Sequence, residues 1–218
     1  MPQAVFFDLD GVLINSEPHW IDVQIAAFAK FDMPLTPELL AQTRGLRVSQ
    51  VIDYWFERFH HITADKQAVN EEIINQMHDA LKRTNALMPG ANEAITLVRE
   101  LNIPFGVISQ SSEKYINMAI TCCGIDVAGG IIRSADSEEY GKPHPGVYLS
   151  ATKSLNVNPR SCVVIEDSLN GVIAAKAAQM YCIAMPDDYV KHQSGFVLAD
   201  EVISSLQDIT KDKLERII

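Results

Sequence analysis

Asp8 and Asp10 stand one residue apart at the end of an apolar run, Val5-Phe6-Phe7-Asp8-Leu9-Asp10-Gly11-Val12-Leu13. A carboxylate next to a core is costly unless a cation or a hydrogen-bond network holds it. Two such carboxylates so close together point to chemistry. Taken alone, Asp-Leu-Asp-Gly fits an ordinary strand-to-turn junction better than a site, because Asp-Gly favours turns. Two further polar clusters also follow apolar, strand-like runs. Ser109-Gln110-Ser111 follows Ile103–Ile108, and Glu166-Asp167-Ser168 follows Cys162-Val163-Val164-Ile165.

These groups work together only if the elements carrying them bring them to one place. After the first strand, helical signals dominate. Ser16 is the expected N-cap of a helix marked by Trp20, Val23, Ala27, Phe28 and Phe31, which Met33-Pro34 stops. Thr36-Pro37-Glu38 opens a short helix ending near Arg44-Gly45. Two longer helices follow, through Val51 to Phe59 and through Val69 to Leu81. From Met88-Pro89-Gly90 the pattern changes to strand and helix in alternation. The expected helices are 91–101, 113–123, 145–155 and 170–179, with a last one from about Asp208. The expected strands are 103–108, 130–132, 162–165 and 181–185, with Phe196-Val197-Leu198 as an edge strand.

Strands separated by helices imply right-handed crossovers and a parallel sheet covered on both faces. The predicted fold is therefore α/β: a Rossmann-like, doubly wound core formed by residues 1–14 and 87–218, with an inserted α-helical cap, residues 15–86. In such sheets ligands bind at the carboxyl ends of the strands. The three polar clusters all fall there.

Bulk properties narrow the partners. The 218 residues carry a formal net charge of −10, with 47% hydrophobic and 21% charged residues. That balance fits a folded soluble chain and argues against nucleic acid or an anionic membrane as partner. An anionic substrate would need a local cation. No apolar run approaches the ~20 residues of a membrane span. Cys122, Cys123, Cys162 and Cys182 lack zinc-site spacing and fit a reducing cytoplasm. The expectation is a cytoplasmic monomer.

The four motifs together resemble the haloacid dehalogenase-like superfamily, in its helical-cap phosphatase branch. Asp8-Leu9-Asp10-Gly11-Val12 matches the first motif and Ser109 the second. Lys142-Pro143 matches the third and Glu166-Asp167-Ser168 the fourth, in order along essentially the whole chain. Ser16-Glu17-Pro18-x-Trp20 and Gly45-Leu46-Arg47 further resemble phosphatases of 2-deoxyglucose 6-phosphate and hexitol phosphates.

The resemblance implies a Mg²⁺-dependent phosphatase of small sugar or sugar-alcohol phosphates that works through an aspartyl-phosphate. Asp8 would be the nucleophile, and Asp10 the acid that protonates the leaving alkoxide and then the base that activates water. Asp8, Leu9, Asp10, Ser109, Gln110 and Lys142 would bind phosphate and substrate. Asp8, Asp10 (through its main-chain carbonyl), Asp167 and Glu166 would hold the metal. In the cap, His19, Trp20 and Arg47, with Arg44 nearby, are candidates for choosing the substrate. Asn15 stands where many capped relatives carry an acid. The nearest alternative is a sugar phosphomutase of the β-phosphoglucomutase type. Dehalogenation needs neither Asp10 nor the metal-type acids, a phosphonatase would want a cap lysine in a telling context, and a non-catalytic protein could dispense with both aspartates.

Overall fold

The structure, a computed structural model, describes residues 1–43, 46–187 and 192–217. It divides into two compact units, Met1–Asn15 with Leu87–Ile218, and Ser16–Ala86. The chain enters the larger unit through β1 (Ala4–Phe7) and then forms the smaller one. This holds α1 (Glu17–Ala29), α2 (Pro37–Leu40), α3 (Val48–Arg58) and α4 (Lys66–Thr84).

Inside the helical unit, α1 and α4 are tied near both ends. His19 Nε2 meets Thr84 Oγ1 at 3.1 Å, and Lys30 Nζ donates to Glu72 Oε1 at 2.5 Å. The apolar positions that predicted these helices line the interior: Val23, Ala27 and Phe28 of α1, Trp55 of α3, and Val69, Ile73, Met77 and Leu81 of α4 are buried. Thr36 and Asp65 cap α2 and α4 through their side chains. Ser16 does not play the expected part: its backbone is already helical and its side chain makes no cap. Pro18 supplies the preset φ of the first turn instead. Arg44 and Gly45 lie outside the described residues.

The larger unit continues with α5 (Ala91–Glu100), β2 (Phe105–Ser109), α6 (Glu113–Cys123), β3 (Ile131–Ser134) and α7 (Gly146–Leu155). It closes with β4 (Cys162–Glu166), α8 (Leu169–Ala177), β5 (Tyr181–Ala184), β6 (Glu201–Val202) and α9 (Lys211–Arg216). Among the described residues the strands form one sheet in the order β3-β2-β1-β4-β5-β6, with every adjacent pair parallel. β1, β2 and β4 are buried along their whole length, as central parallel strands covered on both faces must be. Their near-continuous apolar sequences follow from that position.

One expectation is corrected here. Phe196-Val197-Leu198 is part of a 3₁₀ turn, Ser194–Leu198, and the edge strand is Glu201–Val202. A three-residue apolar run cannot decide its own state, because strand preference depends on the neighbours available. Here Gly195 packs so closely on Leu169 of α8 that a Cβ would lie 2.5 Å from Leu169 Cδ1. Phe196 is buried in the core, whereas Val197 is 84% exposed.

Candidate active site

Strand register brings the first and fourth motifs together. Phe7 of β1 pairs with Ile165 of β4, so Asp8 and Glu166 follow one step later on neighbouring strands. The Asp8 N–H extends the ladder by donating to the Ile165 carbonyl at 3.0 Å. β1 and β4 are also where the strand order reverses, the position at which open α/β sheets form their ligand crevice. On the other side of β1, β2 brings Ser109 to the same edge.

Lys142 reaches this edge from the loop before α7. Its ammonium donates to Asp8 Oδ1 at 2.5 Å, Glu166 Oε1 at 2.6 Å and the Ile108 carbonyl at 3.2 Å. The three side chains are buried. Glu166 is further held by Tyr148 of α7, whose hydroxyl donates to Oε1 at 2.7 Å. The Ser168 amide and hydroxyl donate to Oε2 at 3.2 and 3.0 Å. Ser168 Oγ also accepts the Gly171 amide and so caps α8. One serine therefore joins the start of a helix to the end of a strand.

Burial dominates the electrostatics. It raises the Asp8 pKa well above the carboxylate range, with Lys142 pulling it down and Glu166 and Asp10 pushing it up. Burial works against the Lys142 charge, yet Asp8 and Glu166 more than offset it and raise the pKa of the ammonium. The Tyr148 hydroxyl is pushed well up, first by burial and then by Glu166. Tyr148 thus stays a donor at any physiological pH.

Asp8, Glu166 and Asp167 present carboxylate oxygens within 4.8 Å of one another, a group able to hold a metal ion. The donor set fits a hard divalent cation, which takes oxygen ligands. Three acidic side chains face one ammonium here, so a further positive charge would favour their ionised forms. Gly11 is required for this approach. At φ +82° a Cβ would be strained, and it would lie 2.1 Å from Asp167 Oδ2.

Asp10 belongs to a neighbouring network. Its Oδ1 accepts from the Tyr115 hydroxyl at 2.7 Å, and its Oδ2 accepts from Ser109 and Ser111 at 3.3 and 3.2 Å. Ser109 does not cap α6. Ser112 does that by accepting the Tyr115 amide. Gln110 has its side-chain carbonyl on the Lys142 amide at 3.0 Å, which ties the lysine loop to the end of β2. Leu9 is buried, and its carbonyl accepts the amides of Leu13 and Ile14. Asp8, Asp10, Ser109, Gln110, Lys142, Glu166 and Asp167 therefore lie in one unit.

His19, Trp20 and Arg47 belong to the other unit. There His19 bridges to Thr84, Trp20 is half-buried, and the Arg47 amide donates to Gln50 Oε1 at 3.1 Å at the start of α3. Sequence reasoning missed Tyr115 and Tyr148, and it placed Ser111 and Ser168 in the strand-end clusters without giving either a partner. The tyrosines occupy apolar-face positions of helices, where an aromatic reads as packing. The usable signal was the hydroxyl, since a buried tyrosine almost always finds a partner for it.

The haloacid dehalogenase-like hydrolase family model matches residues 5–185. Hexitol phosphatase B of Escherichia coli (strain K12) is 35% identical over 212 residues, 97% of this chain and 96% of that protein. Among solved structures, CbbY from Rhodobacter sphaeroides in complex with phosphate superposes with a TM-score of 0.81 at 24% identity, covering 94% of this chain and 95% of that one. The β-phosphoglucomutase of Clostridium difficile gives 0.79 at 24% identity, covering 100% and 97%. At that level of identity, both likenesses speak to the fold alone.

Proposed function

The chain belongs to the haloacid dehalogenase-like hydrolases and is an enzyme with phosphatase activity, and we propose that it hydrolyses small phosphorylated sugars or sugar alcohols with Mg²⁺. The observation that carries this reading is the buried group Asp8, Lys142 and Glu166 beside Asp167, at the point where the strand order reverses. The similarity to hexitol phosphatase B supports the substrate class.

In this reading Asp8 attacks phosphorus and forms an aspartyl-phosphate, releasing the sugar alkoxide. Asp10 gives that alkoxide its proton and then takes one from the water that hydrolyses the intermediate. Lys142 stabilises charge on the transferring phosphoryl group from a fixed position. Ser109 and the amides of Leu9, Asp10 and Gln110 bind phosphoryl oxygens. Asp8, Asp167 and the Asp10 carbonyl would hold Mg²⁺, which supplies charge neutralisation between carboxylate and phosphate when bound. Glu166 has both oxygens engaged by Lys142, Tyr148 and Ser168, so we assign it to holding Lys142 rather than the metal. His19, Trp20 and Arg47 remain our candidates for substrate choice. The thiols of Cys122, Cys123, Cys162 and Cys182 support a reducing, cytoplasmic setting.

Phosphate release from hexitol and hexose phosphates in the presence of Mg²⁺ tests this. Asp8→Asn is expected to abolish release with the fold intact. Undiminished release from that variant would sink the mechanism. Stoichiometric phosphate separates hydrolysis from the mutase alternative, in which the sugar phosphate is isomerised and none is freed.

A further inference from the structure

We propose that Tyr115 is the positioning residue for Asp10, fixing the direction of its carboxyl group during proton transfer to the leaving alkoxide. The proposal rests on the phosphatase reading above and adds a residue to it.

Two observations carry it. The Tyr115 hydroxyl makes the shortest of the three hydroxyl contacts to Asp10 described above, 2.7 Å to Oδ1. Tyr115 is also 2% exposed and sits in the first turn of α6, its amide held by the Ser112 cap. A buried ring on a capped helix presents its hydroxyl from a fixed point, whereas a serine hydroxyl rotates.

The serines differ in a second way. Ser109 is the residue proposed to bind a phosphoryl oxygen, and its Oγ already accepts the Ser111 amide. A hydroxyl has one proton. Once Ser109 gives that proton to phosphate, it no longer holds Asp10. Of the three hydroxyl contacts described, those of Tyr115 and Ser111 then remain, one on each carboxyl oxygen. Of the two, Tyr115 is the shorter and the more rigid.

The test compares leaving groups within one variant. An alkoxide leaving from a hexitol phosphate needs a proton from Asp10, while 4-nitrophenolate, a far weaker base, leaves without one. Tyr115→Phe keeps the ring and removes the donor. Because kcat/KM reports steps up to formation of the aspartyl-phosphate, the ratio of kcat/KM for the hexitol phosphate to that for 4-nitrophenyl phosphate isolates the proton transfer. This ratio is independent of the fraction of the preparation that is folded. It is expected to fall about tenfold in Tyr115→Phe, the scale of one hydrogen bond to a charged group. An unchanged ratio, whether both substrates slow equally or neither does, would overturn the proposal, as would a rise. A wild-type enzyme inactive on both compounds would instead overturn the phosphatase reading, and this proposal with it.

Discussion

A carboxylate can accept about four hydrogen bonds, and Glu166 has four donors: Lys142 and Tyr148 on Oε1, and the amide and hydroxyl of Ser168 on Oε2. In a fully buried position this matters, because a missing partner leaves a charge that water cannot reach. Tyr148→Phe removes one donor and nothing else of size. The expected cost is about 1.5–3 kcal/mol, which for a chain of this length lowers Tm by roughly 3–12 °C. Calorimetry on the variant checks this, and an unchanged Tm would show that the hydroxyl contributes nothing. Tyr148 also sets its ring centroid 5.0 Å from Lys142 Nζ, so the ring, kept in the Phe variant, continues to face the ammonium. At this scale the sequence was informative about acids and bases and silent about their supports. Asp8 and Asp10 stand out because they interrupt an apolar run. Tyr115 and Tyr148 continue the apolar face of a helix, so nothing in their spacing separates a donor from a packing residue.

At the scale of elements, close approach between β4 and α8 places Glu166. A Cβ at Gly171 would fall within 1.9–2.1 Å of the Glu166 carboxyl atoms. The helix can start directly over the carboxylate only because position 171 has no side chain. Gly171→Ala is therefore expected to displace Glu166, loosen its hold on Lys142, and reduce phosphate release by at least an order of magnitude. Circular dichroism should show helix content retained, since alanine favours the helix interior. Wild-type turnover in this variant would mean that Glu166 needs no fixed position. The strand ends β1, β2 and β4 were readable from the alternation of apolar runs and helical patterns. The 3₁₀ turn at Ser194–Leu198 was not, because its state depends on the packing of Gly195 against Leu169 of α8, far earlier in the chain.

At the scale of the whole molecule, the chain carries a formal charge of −10, so nothing in its overall field draws in a phosphate. In the proposed reading, attraction comes from the fixed charge of Lys142 and from the cation that the carboxylate cluster would hold. A ligand that binds the folded state alone stabilises it by mass action, about 2.7 kcal/mol at a hundred times its Kd. Adding Mg²⁺ is expected to raise Tm in the wild type and much less in Asp167→Asn. EDTA should abolish phosphate release reversibly. Equal Tm shifts in the two proteins would place the metal elsewhere. Among the described residues, no helix is long and apolar enough to cross a membrane.

The sequence by itself determined the layer architecture and which strands end in chemistry-bearing residues. Both are local matters: hydrophobic periodicity separates helix from strand, and a polar cluster after an apolar run marks a strand end. Only the tertiary structure decided which groups hold which. That Lys142 lies between Asp8 and Glu166, that Tyr115 and not Ser109 alone engages Asp10, and that Glu166 is saturated by its neighbours all depend on parallel register and on the facing of helices far apart in the chain. Side-chain direction over such separations is set by packing, and a one-dimensional pattern does not encode it residue by residue.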